Sequence, residues 1–341
     1  METDIITQTR SFSTTSDRRG GPERRSDVSE KGESVNEILV VGSLAYDTIS
    51  TPEGRVDRAL GGSANYFSLA ASLFAPVRVV GVVGEDYDAT NIELLSQRGI
   101  DVSGMEKAAG KTFHWEGEYG RDNNMNEAVT LATHLNVLAD FNPKIPANYK
   151  NSNYVFLANI DPDLQMRVLD QVEHPRFVAM DTMNYWISSK LDSLKKILER
   201  VDALLINEGE AQQLTGKSNA VAAAAEITKL GPKAVVIKRG EYGFLLYTEN
   251  QYFILPAFPI ARVVDPTGAG DTFAGGFFGY LARHEMGHGL EDLKRACVEG
   301  CLLASFTVQD FGTKAIQSVS LEKLNQRHLE YSRIISYPQS L

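Results

Sequence analysis

Two cysteines stand in 341 residues, Cys297 and Cys301. They are four apart in a segment of helical pattern (290–308) and read as buried thiols on one helix face. A disulfide framework is excluded by count, and a reducing, cytoplasmic setting fits. No apolar run reaches the ~20 residues that a membrane-spanning helix needs, so no membrane partner is expected. An excess of positive charge is missing too: 34 Lys and Arg face 44 Asp and Glu, for a net charge of −10 and a pI of about 5.2. That argues against nonspecific nucleic-acid binding, and any polyanionic ligand must be held by local donors rather than by the overall field. Residues 1–36 lack apolar periodicity and carry six basic and seven acidic residues. A signal peptide would need an apolar core and a transit peptide would be poor in acids, so a disordered extension is expected there.

The chain as a whole is 43% hydrophobic and long enough for one large α/β domain or two smaller ones. Apolar strand-like runs (37–44, 77–83, 154–158, 177–180, 203–206, 234–237) alternate with helical patterns (63–74, 88–98, 163–172, 188–201, 208–215, 220–230). Strands separated by helices predict a parallel-rich central sheet with helices on both faces. The rhythm breaks at 101–137, where β-type segments surround polar turns. With 48–60 these could form a small β-layer, a lid over one sheet edge.

The most informative residues are Asp265-Pro-Thr-Gly-Ala-Gly-Asp-Thr-Phe273. A β-rich stretch (252–264) precedes them. A helical pattern follows, with Phe273, Phe277, Tyr280 and Leu281 on one face. A glycine-rich turn opening a helix is an anion site, because the first helical N–H groups have no internal partner and the helix dipole is positive there. Asp271 repels an anion in that position, and a base that takes a proton from a phosphoryl acceptor gives it a reason to be there. No Gly-Lys-Ser/Thr follows the glycines, so this is not a Walker A loop.

The run resembles the Asp-x-x-Gly-Ala-Gly-Asp-x-Phe signature of the ribokinase-like (PfkB) carbohydrate and nucleoside kinases. The resemblance covers roughly residues 37–320 and implies a ribokinase-like kinase domain over 37–336, with the β-layer acting as a lid over the sugar site. It implies that Gly268, Ala269 and Gly270 form the anion hole and that Asp271 is the catalytic base. Asp47, at the end of the first strand, matches the family's hydroxyl-gripping Asp, since a carboxylate accepts two hydroxyl hydrogen bonds. Gly61 and Gly62 match its Gly-Gly pair. The Asn that follows in the commonest spacing is replaced by Tyr66, with Asn65 one residue early. Asn207-Glu208-Gly-Glu210 resembles the Asn-x-x-Glu motif that holds Mg²⁺ and phosphate through water. Few carboxylates suit an ion that keeps its waters, although an N-cap Asn with a first-turn Glu explains the same residues. Lys238, Gly240 and Gly243 fit a loop along the nucleotide. Asp181 and Asn184 lie where family members place polar residues facing the phosphates. Asp265 with Gln309–Gly312 resembles the loops that hold a monovalent cation, K⁺, in many members.

The function implied is transfer of the γ-phosphoryl group of ATP, with Mg²⁺, to a hydroxyl of a sugar or polyol. An adenosine- or cytidine-type nucleoside kinase is the alternative, with Trp115, Tyr66 and Phe67 as walls for a base. A catalytically silent nucleotide-binding regulator is the non-enzyme alternative. A homodimer through the lid is a further expectation. Phe113, Trp115 and Tyr119 would either stack on ligand or pack the lid. His284-Glu-Met-Gly-His288 fits a zinc-hydrolase pattern, but Gly287 and Gly289 flank the second His where the helix should end, so two surface His at a helix C-terminus are expected.

Overall fold

A computed structural model describes residues 36–120, 124–285, 289–336 and 338. The expected disordered extension therefore falls outside the described residues, apart from Asn36. In chain order the strands are β1 (Ile38–Val41), β2 (Ala45–Thr51), β3 (Gly54–Gly61), β4 (Val77–Val83), β5 (Ile100–Lys107), β6 (Phe113–Glu118) and β7 (Val129–His134). They continue with β8 (Tyr154–Leu157), β9 (Phe177–Asp181), β10 (Ala203–Asn207), β11 (Ala234–Lys238), β12 (Phe244–Thr248) and β13 (Gln251–Leu255). Nine of them form one sheet in the order β13-β12-β11-β10-β9-β8-β1-β4-β5, and four form a second sheet in the order β3-β2-β6-β7. The large sheet is parallel from β11 to β5 and antiparallel only at β12 and β13.

The reason lies in the side chains. Every residue of β1 and β8 is buried, as expected of parallel strands covered on both faces. Alternation then divides the core: Ile38 and Val40 join one cluster with Phe67, Phe156, Phe277 and Phe278, while Leu39 and Val41 join another with Leu157, Leu204 and Ile206. Phe278 anchors the first cluster, with its ring centroid 5.5–6.0 Å from those of Phe67, Tyr154, Phe156 and Phe177. The helix that carries it, Ala269–Arg283, fits closely between the helices Ser63–Ala71 and Leu290–Thr307. A Cβ on Gly275 would fall 2.3 Å from the Phe67 carbonyl oxygen, and one on Gly276 would fall 2.9 Å from Gly300 Cα. The N-terminus of this helix, and Asp271 with it, is thus held by a close-packed core.

Two expectations need correction. Residues 100–107 do not belong to the small sheet: β5 pairs in parallel with β4 at the edge of the large one. Its polar residues Asp101, Ser103 and Glu106 face solvent at that edge, which made it look like lid. The strand before the glycine turn ends at Leu255, because Pro256, Pro259 and Pro266 lack the N–H that a ladder requires. The small sheet contains residues 45–51, 54–61, 113–118 and 129–134. It is tied down by the Thr51 hydroxyl, which donates to the Val264 carbonyl (2.9 Å), and by the Tyr46 hydroxyl, which accepts from the Asp88 N–H (2.8 Å).

Candidate active site

Asp181, Asn207 and Lys238 are the last residues of β9, β10 and β11, three adjacent strands. Ligand groups belong at that carboxyl edge in a parallel sheet. The glycine turn meets it from the other side. Gly268 caps the helix Ala269–Arg283 in the left-handed region (φ 72°), and the Thr272 N–H closes the first turn onto its carbonyl at 2.8 Å. The Ala269 N–H donates to the Pro266 carbonyl (3.2 Å). Lys238 Nζ lies over Gly270, 2.9 Å from where a Cβ would stand. Around Lys238 are the carboxylates of Asp181, Glu210 and Asp271. Burial pushes all three upward, and the lysine charge pulls each back down. Asp181 is raised well above the usual range, with Asp271 its strongest charged neighbour, and its Oδ1 has no hydrogen-bond partner among the described residues.

Glu210 and Asn207 form a reciprocal cap: Glu210 N–H donates to Asn207 Oδ1 (2.7 Å), and Asn207 N–H donates to Glu210 Oε2 (3.0 Å). The capping explanation of this motif is therefore realised, and it fixes the carboxylate toward Lys238. Gly240 and Gly243 turn the chain between β11 and β12 at φ 56° and 86°. Asn184 is exposed, and only its backbone carbonyl is engaged, by Ser188 and Gln213 side chains. Asp181, rather than Asn184, joins the cluster. Among the described residues no group of three or more His, Cys, Asp or Glu is placed to chelate a metal, and His288 lies outside them.

On the side of the small sheet, Asp47 is buried with its carboxylate over Gly61, where a Cβ would fall 1.9 Å from Oδ2. Burial first, and then the Asp265 and Asp271 carboxylates, push Asp47 up to about 8. Gly62 starts the next helix at φ 91°. Asn65 is fully buried and its Nδ2 donates to the Gly61 carbonyl (2.6 Å), so it braces the glycine pair from behind. Asp265 accepts from the N–H groups of Thr267 and Gly312, both at 2.8 Å, and so ties the C-terminal loop to the turn.

The aromatic walls also divide. Phe67 is wholly buried and stacks on Phe156 at 4.4 Å, so it forms core and cannot contact a ligand. Trp115 is the register neighbour of Asp47 across β2 and β6 and shares its face of the lid, with Tyr119 edge-on at 6.5 Å. Tyr66 lies under Gly268. Asn126 was not marked by any feature of the sequence, yet its Oδ1 stands 1.9 Å from where a Cβ on Gly240 would be, so the β6–β7 connection reaches the β11–β12 loop. Two cavities of about 310 and 200 Å³ share Arg58 and Asp86, and neither is lined by the glycine turn.

Comparison with known proteins agrees with this geometry. The model of the pfkB family carbohydrate kinases matches residues 35–319. A cytidine kinase of Thermococcus kodakarensis is 32% identical over 269 residues, covering 77% of this chain and 94% of the relative. The Methanocaldococcus jannaschii nucleoside kinase structure, an archaeal member of the ribokinase family, matches with a TM-score of 0.68 at 20% identity, over 86% of this chain and 98% of that one. A Vibrio cholerae fructokinase double mutant, in a form with fructose, ADP and potassium ion bound, matches with a TM-score of 0.71 at 18% identity, over 87% and 99%. These two structures establish the fold, an α/β ribokinase-like architecture.

Proposed function

The chain belongs to the pfkB family of carbohydrate kinases, a phosphotransferase with an alcohol group as acceptor, and from that premise we propose that it phosphorylates a nucleoside at a ribose hydroxyl with ATP as donor. The observation that carries the kinase chemistry is the placement of Asp271 beside the glycine turn, with Lys238 over Gly270. The nucleoside reading rests on the cytidine kinase relative and on Trp115 beside Asp47, where a base would find an aromatic wall. The free sugar or polyol expected first from the sequence becomes the competing outcome of the test.

Asp47 grips hydroxyls of the acceptor, with Gly61 and Gly62 letting them approach the backbone and Asn65 holding that backbone in place. Asp271 takes the proton of the attacking hydroxyl. Lys238 pulls Asp271 toward the ionised form that this task needs, against the burial that raises it. The turn Gly268–Gly270 faces the transferring phosphoryl group. There the Gly270 amide has no partner among the described residues, and Ala269 would have to leave the Pro266 carbonyl. Asn207, Lys238, Gly240 and Gly243 hold the nucleotide, and the exposed Asn184 has the weakest claim. The unpaired Oδ1 of Asp181 and the fixed carboxylate of Glu210 suit Mg²⁺ held through its waters. When bound, Mg²⁺ supplies charge neutralisation at the phosphates. The loop that Asp265 ties together is where we place K⁺, on backbone carbonyls. A homodimer through the lid is part of the proposal, since Leu131 on the edge strand β7 is 51% exposed; sizing by light scattering tests it. ADP release over a panel of nucleosides, ribose, fructose and polyols tests the substrate class. Turnover of nucleosides well above that of free sugars is expected, and turnover of free sugars alone would overturn the nucleoside reading.

A further inference from the structure

The back of the small sheet carries a cluster with no part in the proposed reaction. Tyr46, His114 and His134 are register partners in one row across β2, β6 and β7. They are next to Asp47, Trp115 and Thr133 in the chain and therefore lie on the opposite face. Arg58, Lys111, His114 and His134 line the cavity of about 200 Å³ there, four basic side chains in a chain of net charge −10. Asp86, the carboxylate in that lining, is already engaged. Its Oδ1 accepts from the Thr112 N–H and hydroxyl (2.7 and 2.8 Å), and its Oδ2 accepts from Arg58 Nη2 (3.1 Å). Among the described residues, the Lys111 ammonium, the His134 ring nitrogens and the Arg58 Nε and Nη1 have no hydrogen-bond partner. The backbone is bent to build this cavity. The β2–β3 register shifts at Thr48, Arg58 stands at φ 53° with its guanidinium 4.3 Å above the Tyr46 ring, and Asn136 stands at φ 49°. The adjoining cavity of about 310 Å³ shares Arg58 and Asp86 but offers acceptors. Asp88 caps its helix with Oδ1 alone, and Asn91 donates Nδ2 to the Tyr46 hydroxyl, so Asp88 Oδ2 and Asn91 Oδ1 are open among the described residues.

We propose that the two cavities together form a regulatory site for a sugar phosphate, separate from the active site. The phosphate dianion lies among Arg58, Lys111 and His134, and sugar hydroxyls donate to Asp88 and Asn91. Lys111 stands where the chain enters β6 and Asn136 where it leaves β7, and Asn136 Nδ2 donates to the Thr112 carbonyl (2.9 Å). A ligand there ties the small sheet to the large one at its hinge. Occupancy therefore slows opening of the proposed lid, and product release with it. The site does not depend on which acceptor the enzyme takes.

Calorimetric titrations with ribose 5-phosphate, ribose and inorganic phosphate test it, on the wild type, on Asp47→Ala and on Lys111→Ala/His134→Ala. On Asp47→Ala, where the acceptor site is disabled, ribose 5-phosphate should bind as it does to the wild type and more tightly than ribose or phosphate. The double variant should lose at least about tenfold in that affinity, with melting temperature and basal turnover unchanged. Lys111→Glu alone, at an exposed position, should show a loss of the same kind and serves where the double variant does not fold. In wild-type assays, ribose 5-phosphate should lower kcat and acceptor KM by the same factor. Binding lost in Asp47→Ala but kept in the Lys111 variants would put the ligand in the acceptor site and overturn the proposal. So would equal binding of inorganic phosphate, or no binding at all. Binding without a kinetic effect, or competition with either substrate, overturns the regulatory role. Failure of the nucleoside reading leaves the titrations unchanged, so the two are judged separately.

Discussion

The two ends of the site are both acidic but differ in what accompanies the acids. At the carboxyl edge of the large sheet, the proposed donor end, Asp181, Glu210 and Asp271 surround Lys238, a cation that stabilises their ionised forms. At the small-sheet end, the proposed lid, burial and the Asp265 and Asp271 carboxylates push Asp47 up to about 8, and only the Gly62 N–H, not a cation, pulls it back. An end with an ammonium, a helix N-terminus and spare carboxylate oxygens suits phosphate with a divalent cation. An end with a proton-retaining carboxyl and phenols suits a neutral molecule that offers hydroxyls. In the proposed reaction, that difference sets the donor on one side and the acceptor on the other.

Several changes break or sharpen it. Asp271→Asn removes the base at the meeting point and should lower kcat by about 10²–10⁴, with the melting temperature and ATP affinity held; steady-state kinetics and calorimetry check this, and near-normal turnover contradicts it. Gly268→Ala damages both ends at once, because the added methyl meets the Tyr66 ring and a non-glycine residue must adopt φ 72°. Strain of about 1–3 kcal/mol should appear as a lower melting temperature, with KM raised for ATP and acceptor together. Raised carboxylates lie at both ends, and Asp47 is the one whose midpoint, near 8, can be followed directly. Asp47 is mostly protonated in the folded protein at pH 7 but ionised in the unfolded chain, so its contribution to stability is full below pH 4 and is lost as pH rises toward 8. Acceptor binding runs the opposite way if the ionised carboxylate grips the hydroxyls. Affinity should rise about tenfold from pH 7 to pH 9, and Asp47→Asn should flatten the curve. The smallest effect is expected for Glu210→Gln, which should raise the Mg²⁺ needed for half-maximal rate a few-fold and leave acceptor KM alone. An unchanged Mg²⁺ dependence would leave Glu210 a helix cap only.

The two ends were also unequally legible in the sequence. The donor end is built on nine consecutive residues whose spacing dictates a turn and a helix start, and on strand ends that the alternation of elements exposes. Asp271, the glycines, Asn207 and Lys238, which the structure brings together at one sheet edge, could therefore be grouped from residue order. The lid end is assembled from residues 47, 61, 66, 115, 119 and 265, which approach only after the small sheet folds back. Position alone could not say that Phe67 turns into the core while Tyr66 turns to the site, since neighbours on a helix differ by 100° in direction. Nor could it place Asn126, which meets Gly240 only through the β6–β7 connection. The strand β5 was misread for the same reason: an edge strand of the large sheet is half-solvated and shows the same polar alternation as a lid strand.

The central claim is that donor and acceptor sit at separate, differently charged ends, and one crossed measurement tests it. Equilibrium dissociation constants for ATP·Mg²⁺ and for the acceptor should be measured by calorimetry on Asp47→Ala and Lys238→Met. Asp47→Ala should weaken acceptor binding by about 3 kcal/mol, on the order of a hundredfold, with ATP binding unchanged. Lys238→Met should weaken ATP binding by a comparable factor and leave the acceptor nearly unaffected. If each substitution weakens both ligands equally, the two ends are not distinct and the account is wrong.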